Sequence, residues 1–245
     1  MRITDCFWEI ANIGKRTVEI VIEHDDTFDR SHLLDAIDGY EYAVVKVPMN
    51  HPTFNIGLTD MSFSCIETQL SVSKRVVDFD TSKVEHLTAD TEFETVMCED
   101  DVQSILNNIT LGMFSTDRVA LDPHLGPALS LRRYKNWLST EAVHDNTLLI
   151  KELHKGQHIG FMLLRKAEDG LVVLLNGLYK PYQRKGLGLL TPASPLMYIQ
   201  RNNLHYEEVS TNISSNNVPV VKLYNRLGFT LDYQTYVFIK HIDAK

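Results

Sequence analysis

Residues Gln183, Arg184, Lys185, Gly186, Leu187 and Gly188 follow the apolar run LVVLLNGL and precede a helical pattern. Two glycines let a backbone approach a ligand closely, and a helix starting there leaves its first amides free to donate. Arg184 and Lys185 add positive charge, so the turn reads as a cradle for a phosphate. Neither GxxxxGK[ST] nor GxGxxG is present, which disfavours a triphosphatase loop and a dinucleotide-binding turn.

A second group lies downstream, in NNVPVVKLYNRLGF. Asn217 and Tyr224 are seven residues apart, two helical turns, and share one helix face. A phenol held on a helix can deliver a proton to a leaving group. A third group sits in FSTDRVALDPHLGPALSLRRYKNWL, where Arg118, Asp122, Arg133, Tyr134 and Trp137 stand among Asp117, His124 and Arg132. Such side chains grip hydroxyls, phosphates and rings. Arg133, Tyr134 and Trp137 fit one side of a helix, suited to a phosphate-bearing sugar and equally to an Arg–aromatic face packed on a sheet.

The elements that position these groups are legible from periodicity. Strands are expected at 16–23 and 42–47, with a short helix from Ser31 to Gly39 between them. A short helix, a turn and a long strand from Phe63 follow. The polar stretch 76–92 reads as a linker with the domain boundary near 78–90, dividing the chain into residues 1–85 and 86–245. A helix is expected over 93–107 and another from Ala128 to Leu138. Three apolar strands separated by KGQ and EDG turns form an antiparallel meander. After the glycine turn come a helix to Asn202, a strand over 205–214, a helix from Val218 and a last strand from Thr230 to His241. Leu58, Met61, Phe63 and Lys74 match Tyr224, Leu227, Phe229 and Lys240 at a constant offset of 166 residues, as a repeated helix-turn-strand unit would. The order of elements gives a mixed α/β fold.

Lys and Arg number 24 against 32 Asp and Glu, and residues 1–85 carry 8 of the basic and 15 of the acidic side chains. A duplex nucleic-acid binder needs a basic face, so none is expected. Cys6, Cys65 and Cys98 lack CxxC spacing, arguing against a disulfide framework and structural zinc; no metal is expected. No apolar run is long enough to span a bilayer and the N-terminus lacks a signal-peptide layout, so no membrane insertion and a cytoplasmic location are expected.

Q-R-K-G-L-G after an apolar strand resembles the (Q/R)xxGx(G/A) signature of the GNAT superfamily of acyl-CoA N-acyltransferases. NNVPVVKLYNRLGF resembles a second element of that family, N-x-x-A-x-x-L-Y-x-x-x-G-F, with Val220 where alanine is usual. Pro181 stands one position later than the proline often found before the signature. The resemblance covers residues from about 90 to 245 and implies a mixed, mainly antiparallel central sheet flanked by helices. The smaller α/β domain in front resembles a degenerate half of the same fold.

The resemblance further implies that acetyl-CoA is the co-substrate and a small-molecule amine the acceptor. Gln183, Arg184, Lys185, Gly186, Leu187, Gly188 and Asn217 would then bind the coenzyme, with backbone amides around Leu178 polarising the thioester. Tyr224 would contact the coenzyme and protonate the departing thiolate. Glu207, Glu208, His205 and Asn176 are candidates for the base, with a water relay an equal alternative. The DRxxLDP and RRYxxW text, together with two-domain architecture, resembles sugar-nucleotide acetyltransferases of the TDP-fucosamine type, with Arg118, Asp122, Arg133, Tyr134 and Trp137 as acceptor contacts and a homodimer as the expected assembly. Acylation of a peptide, antibiotic or polyamine is a rival, and a non-catalytic acyl-CoA sensor is another.

Overall fold

The computed structural model describes residues 1–243. Its first half contains β1 (Arg2–Asp5), α1 (Glu9–Ile13), β2 (Thr17–Val21), α2 (Arg30–Ile37), β3 (Tyr42–Pro48), α3 (Pro52–Asp60) and β4 (Ser64–Arg75). Next come α4 (Glu85–Thr88), β5 (Thr91–Thr95), α5 (Glu99–Asn108), α6 (Arg118–Leu121) and α7 (Pro127–Glu141). The chain continues through β6 (Thr147–His154), β7 (Gln157–Lys166), β8 (Gly170–Leu178), α8 (Leu190–Arg201), β9 (Glu208–Ser214), α9 (Val218–Arg226) and β10 (Thr230–His241).

One 10-stranded sheet runs β1-β2-β3-β10-β4-β9-β8-β7-β6-β5. Apolar residues of α2 and α3 cover one face of the first half, and those of α8 and α9 cover the same face of the second. The opposite face packs against α1, α5, α6 and α7. The expected meander is β6-β7-β8, antiparallel throughout.

The final strand explains the repeat. β10 does not extend its own half but inserts between β3 and β4, pairing antiparallel with both. Along the β4–β10 ladder Thr230 faces Ser73 and Ile239 faces Ser64, so the register maps onto itself around the Gln69–Thr235 pair. Ile66 and Asp232, separated by the same offset, are the bulged residues. Ser62 and Gly228, also separated by it, both take positive φ at the helix-to-strand turn, 61° and 76°. Lys74 donates to the Gly228 carbonyl at 3.3 Å, and Lys240 donates to the Met61 carbonyl at 2.7 Å. Each unit therefore fastens the turn of the other.

Two expectations between the halves are corrected. Residues 93–107 are not one helix: Thr91–Thr95 form an edge strand on β6, and helix begins only at Glu99. The alternation of exposed Glu92 and Glu94 with Phe93, partly buried against the core, is a strand pattern, and charged side chains are common on edge strands. Cys98 is extended, and Glu99, Asp100 and Asp101 then place negative charge on the first turn of α5. The 76–92 stretch is not a bare linker either. Phe79, Val84 and Leu87 are buried in the same cluster as α8, and they show no regular period because Phe79 directly follows one short 3-10 turn, Val84 lies in another and Leu87 in the brief α4.

Candidate functional site

The glycine turn joins β8 to α8. Gln183 donates its side-chain amide to the Leu178 carbonyl at 3.0 Å, folding the turn back on the strand end. Arg184 and Gly186 both take positive φ, 60° and 82°. Among the described residues, the Arg184, Lys185 and Gly186 amides have no hydrogen-bond acceptor. A Cβ at Gly186 would meet nothing within 4 Å, whereas one at Gly188 would lie 3.3 Å from Leu223. Gly186 thus leaves the cradle open, and Gly188 lets α9 approach it. Leu187 is buried, and Lys185 lies over the Tyr182 ring. Beside the turn is a cleft of about 300 Å³ with Lys155 and Lys185 among its walls.

The strand feeding the turn parts from its neighbour. β8 and β9 pair in parallel only from Gly170 to Val173 against Glu208 to Thr211. Beyond that point β8 continues on β7 to Leu178, while β9 continues on β4 to Ser214. A bulge at Leu174 turns β8 away, and the Thr211 hydroxyl bonds the Val173 carbonyl at the fork. This V-shaped gap exposes strand backbone without breaking the sheet.

Tyr224 lies beside the gap. Asn217 caps α9 through its side chain, accepting from Val220 N–H at 3.4 Å, and so fixes the helix that carries the phenol. Tyr224 is 3% exposed and packs edge-on against Phe229. Burial pushes its phenol far above the ordinary tyrosine range, against a hydrogen bond from Asn176. Asn176, on the parted stretch of β8, also donates to the Thr191 carbonyl at 2.7 Å. Pro195 inside α8 has no N–H to offer that carbonyl, four residues back, so Asn176 supplies it. Of the base candidates, Glu207 and Glu208 line a pocket at the opposite end of β8, beside Gly170.

The expected acceptor residues are placed differently from one another. Arg118 and Arg133 converge on Glu9 of α1, at 3.1 and 2.7 Å, and Asn12 also bonds that carboxylate. Burial alone would raise the Glu9 carboxyl, but Arg133 and Arg118 outweigh it and hold it low. Asp122 pairs with His241 at 2.8 Å. Tyr134 packs against Phe114 with the rings tilted and their centroids 4.6 Å apart, and Trp137 donates to Glu141. Met113 and Phe114 in turn roof Gly177 on the parted end of β8. On the other side of the gap stands Glu67 of β4, 5% exposed, its carboxyl raised by burial against the Ser214 hydroxyl.

Sequence reading passed over Glu9, Glu67 and Glu152. Glu152 carried a signal: in TLLIKELH it falls in step with Leu148 and Ile150, which face the core. Glu67 carried none, because its place at the gap depends on strands distant in the chain.

The first half lacks each of these features at its equivalent positions. β2 pairs with β3 along its whole length, so no gap opens. Its strand-to-helix turn holds Glu23, Asp25, Asp26 and Asp29. Phe28 sits on Gly57, where a Cβ would lie 2.1 Å from the ring, and Leu58 occupies the place of Tyr224.

A parted pair of strands, an anion-ready turn and a helix-borne phenol occur together on a mixed sheet flanked by helices. The fold is that of the GNAT acyltransferases. Among solved structures, a conserved protein of unknown function from Staphylococcus epidermidis aligns with TM-score 0.63 and 10% identity, over 96% of this chain and 88% of that one. A tandem GNAT protein from the clavulanic acid biosynthesis pathway aligns with TM-score 0.60 and 12% identity, over 94% of this chain and 76% of its own. A GCN5-related N-acetyltransferase from Kribbella flavida aligns with TM-score 0.58 and 13% identity, over 91% and 80%. No family model and no curated protein matches the sequence. Across the GNAT fold of this chain, the open gap and the glycine turn belong to the second half alone. No helix among the described residues is long and apolar enough to cross a membrane.

Proposed function

We propose that the chain is an acetyl-CoA-dependent N-acetyltransferase that passes acetyl directly to a primary amine in the cytoplasm. The observation that carries this reading is the gap between β8 and β9, with free amides of the glycine turn at one end and buried Tyr224 beside it. In this reading the Arg184, Lys185 and Gly186 amides hold the pyrophosphate of the co-substrate at the head of α8, with Gln183, Leu187 and Gly188 shaping the turn. Backbone near Leu178 polarises the thioester carbonyl. Tyr224, neutral because it is buried, gives its proton to the departing sulfur. No cysteine is needed, since the amine attacks the thioester itself.

The acceptor enters from the face of α7. Tyr134 and Trp137 suit a sugar ring, the basis for a nucleotide-linked amino sugar as acceptor. A specific observation favours a second reading: Arg118 and Arg133 are engaged with Glu9, while Glu67 beside the gap has no ion-pair partner among the described residues and Asp117, the cap of α6, acts on it through its charge. A cationic acceptor, a polyamine or peptide amine, fits those carboxyls better. Glu67 is the residue we assign to take the amine proton. We further propose that residues 1–85 serve as scaffold to the 86–245 unit and bind no coenzyme.

Calorimetric titration with coenzyme A tests this division: one site per chain is expected, and two would show that the plugged half binds as well. Widening the plug tests it again. Phe28→Ala should leave the stoichiometry at one, because the acidic turn still repels phosphate.

A further inference from the structure

Two of the four fully buried carboxylates among the described residues, Glu9 and Asp122, face a cation, as does half-buried Glu19, while Glu67 beside the gap has the Ser214 hydroxyl. Glu9 has Arg118 and Arg133, Glu19 has Lys46 at 3.0 Å, and Asp122 has His241. Glu152 on β6 has none among the described residues. It is 1% exposed, and its Oε1 and the Ser194 Oγ of α8 are both buried, the hydroxyl being the one polar side chain among them that approaches the carboxyl, short of a well-formed hydrogen bond.

Its position follows from register. Glu152 faces Gly160 on β7, and Gly160 faces Leu178 on β8, so the three form a row across the sheet. Because the middle residue has no side chain, the carboxyl leans across it. A Cβ at Gly160 would lie 3.2 Å from Glu152 Oε2, 2.6 Å from the Gly177 carbonyl oxygen and 3.2 Å from the Leu178 Cα. Glu152 thus reaches beneath the strand end that borders the gap. The titratable groups that feel its charge are Tyr224 on α9 and Tyr179 just after β8. α8 presents Ser194 to it, and no charged side chain of β7, β8, α8 or α9 stands against it among the described residues.

We propose that Glu152 is a positioning residue of the acyl-transfer site, a neutral carboxylic acid that fills the space over Gly160 beneath the Gly177–Leu178 strand end and blocks turnover once it ionises. The inference rests on the acetyltransferase reading. Transfer places negative charge on the thioester oxygen near Leu178 and on the sulfur that Tyr224 protonates. A carboxylate behind both opposes that charge and makes the phenol a weaker acid. Burial, with Ser194 pulling the other way, pushes the Glu152 carboxyl up to about 7. The site therefore loses its neutral form as pH rises through neutrality.

The test is the pH profile of kcat, with acetyl-CoA and amine both saturating, for the wild type and Glu152→Gln. The wild type should lose about tenfold per pH unit above its midpoint. Glu152→Gln, neutral at every pH, should keep the low-pH rate and show no such limb. An alkaline limb shared by both proteins, or absent from both, overturns the role of Glu152 while leaving acyl transfer intact. Wild type that releases no coenzyme thiol with any amine at any pH overturns the acetyltransferase reading and this inference together. Thermal melts provide a readout free of turnover. Because the folded-state pKa lies above the unfolded one, wild type should lose stability relative to Glu152→Gln as pH rises from about 4.5 through about 7. Parallel melting curves across that window would also contradict the assignment.

Discussion

Glu9→Ala should destabilise the protein by about 3–5 kcal/mol, enough to unfold a large fraction of a domain whose total stability is about 5–15 kcal/mol. The carboxylate is fully buried and receives Arg118 and Arg133 together, with Asn12 completing its bonds. Arg118 is itself 7% exposed, and its Nε makes no hydrogen bond. Removing the carboxylate leaves two guanidiniums facing each other with little water to screen them. Urea denaturation gives the number directly, and a loss under about 1 kcal/mol would mean that water enters and replaces the pair. Replacing the whole triad by Leu, Leu and Met should restore much of the stability, because no buried charge then lacks a partner. This network fastens α1, in the first half, to α6 and α7 in the second.

Tyr224→Phe should lower kcat by about 10- to 100-fold, some 1.4–2.7 kcal/mol of transition-state stabilisation, with coenzyme affinity nearly unchanged. The ring remains to pack on Phe229, so the helix stays in place. What disappears is the hydroxyl beside Asn176, and with it the proton for the departing sulfur. Since burial raises the phenol, Tyr224 stays protonated across the working pH range and contributes no limb of its own. An equal loss in coenzyme affinity would instead make Tyr224 a binding residue.

How much of this was legible in sequence depends on range. The strand-turn-helix around Gly186 and the α9 segment are local, so residue type and spacing settle them. The repeat was visible in four matched positions, yet its strand exchange was not: nothing in the text of β10 says that it pairs with β3 as well as β4. Arg118 and Arg133 were readable as cations near aromatic groups. Their commitment to Glu9 was hidden, because α1 lies more than a hundred residues earlier. Residues 91–95 misled because a short polar edge strand resembles the start of an amphipathic helix. Phe79, Val84 and Leu87 escaped notice because two 3-10 turns and a single turn of α-helix are too short to set a period.

The most direct measurement is coenzyme thiol release from acetyl-CoA by wild type and Gly186→Val, across amino-sugar nucleotides, polyamines and peptides. Gly186 has φ of 82°, which a β-branched residue adopts only under strain, and open space where a side chain would begin, so valine distorts the turn itself while meeting no core side chain. Acyl transfer at this turn predicts amine-dependent release by wild type and loss of both release and coenzyme binding in the folded variant. Wild type silent with every amine, or a variant that binds and turns over unchanged, would contradict it.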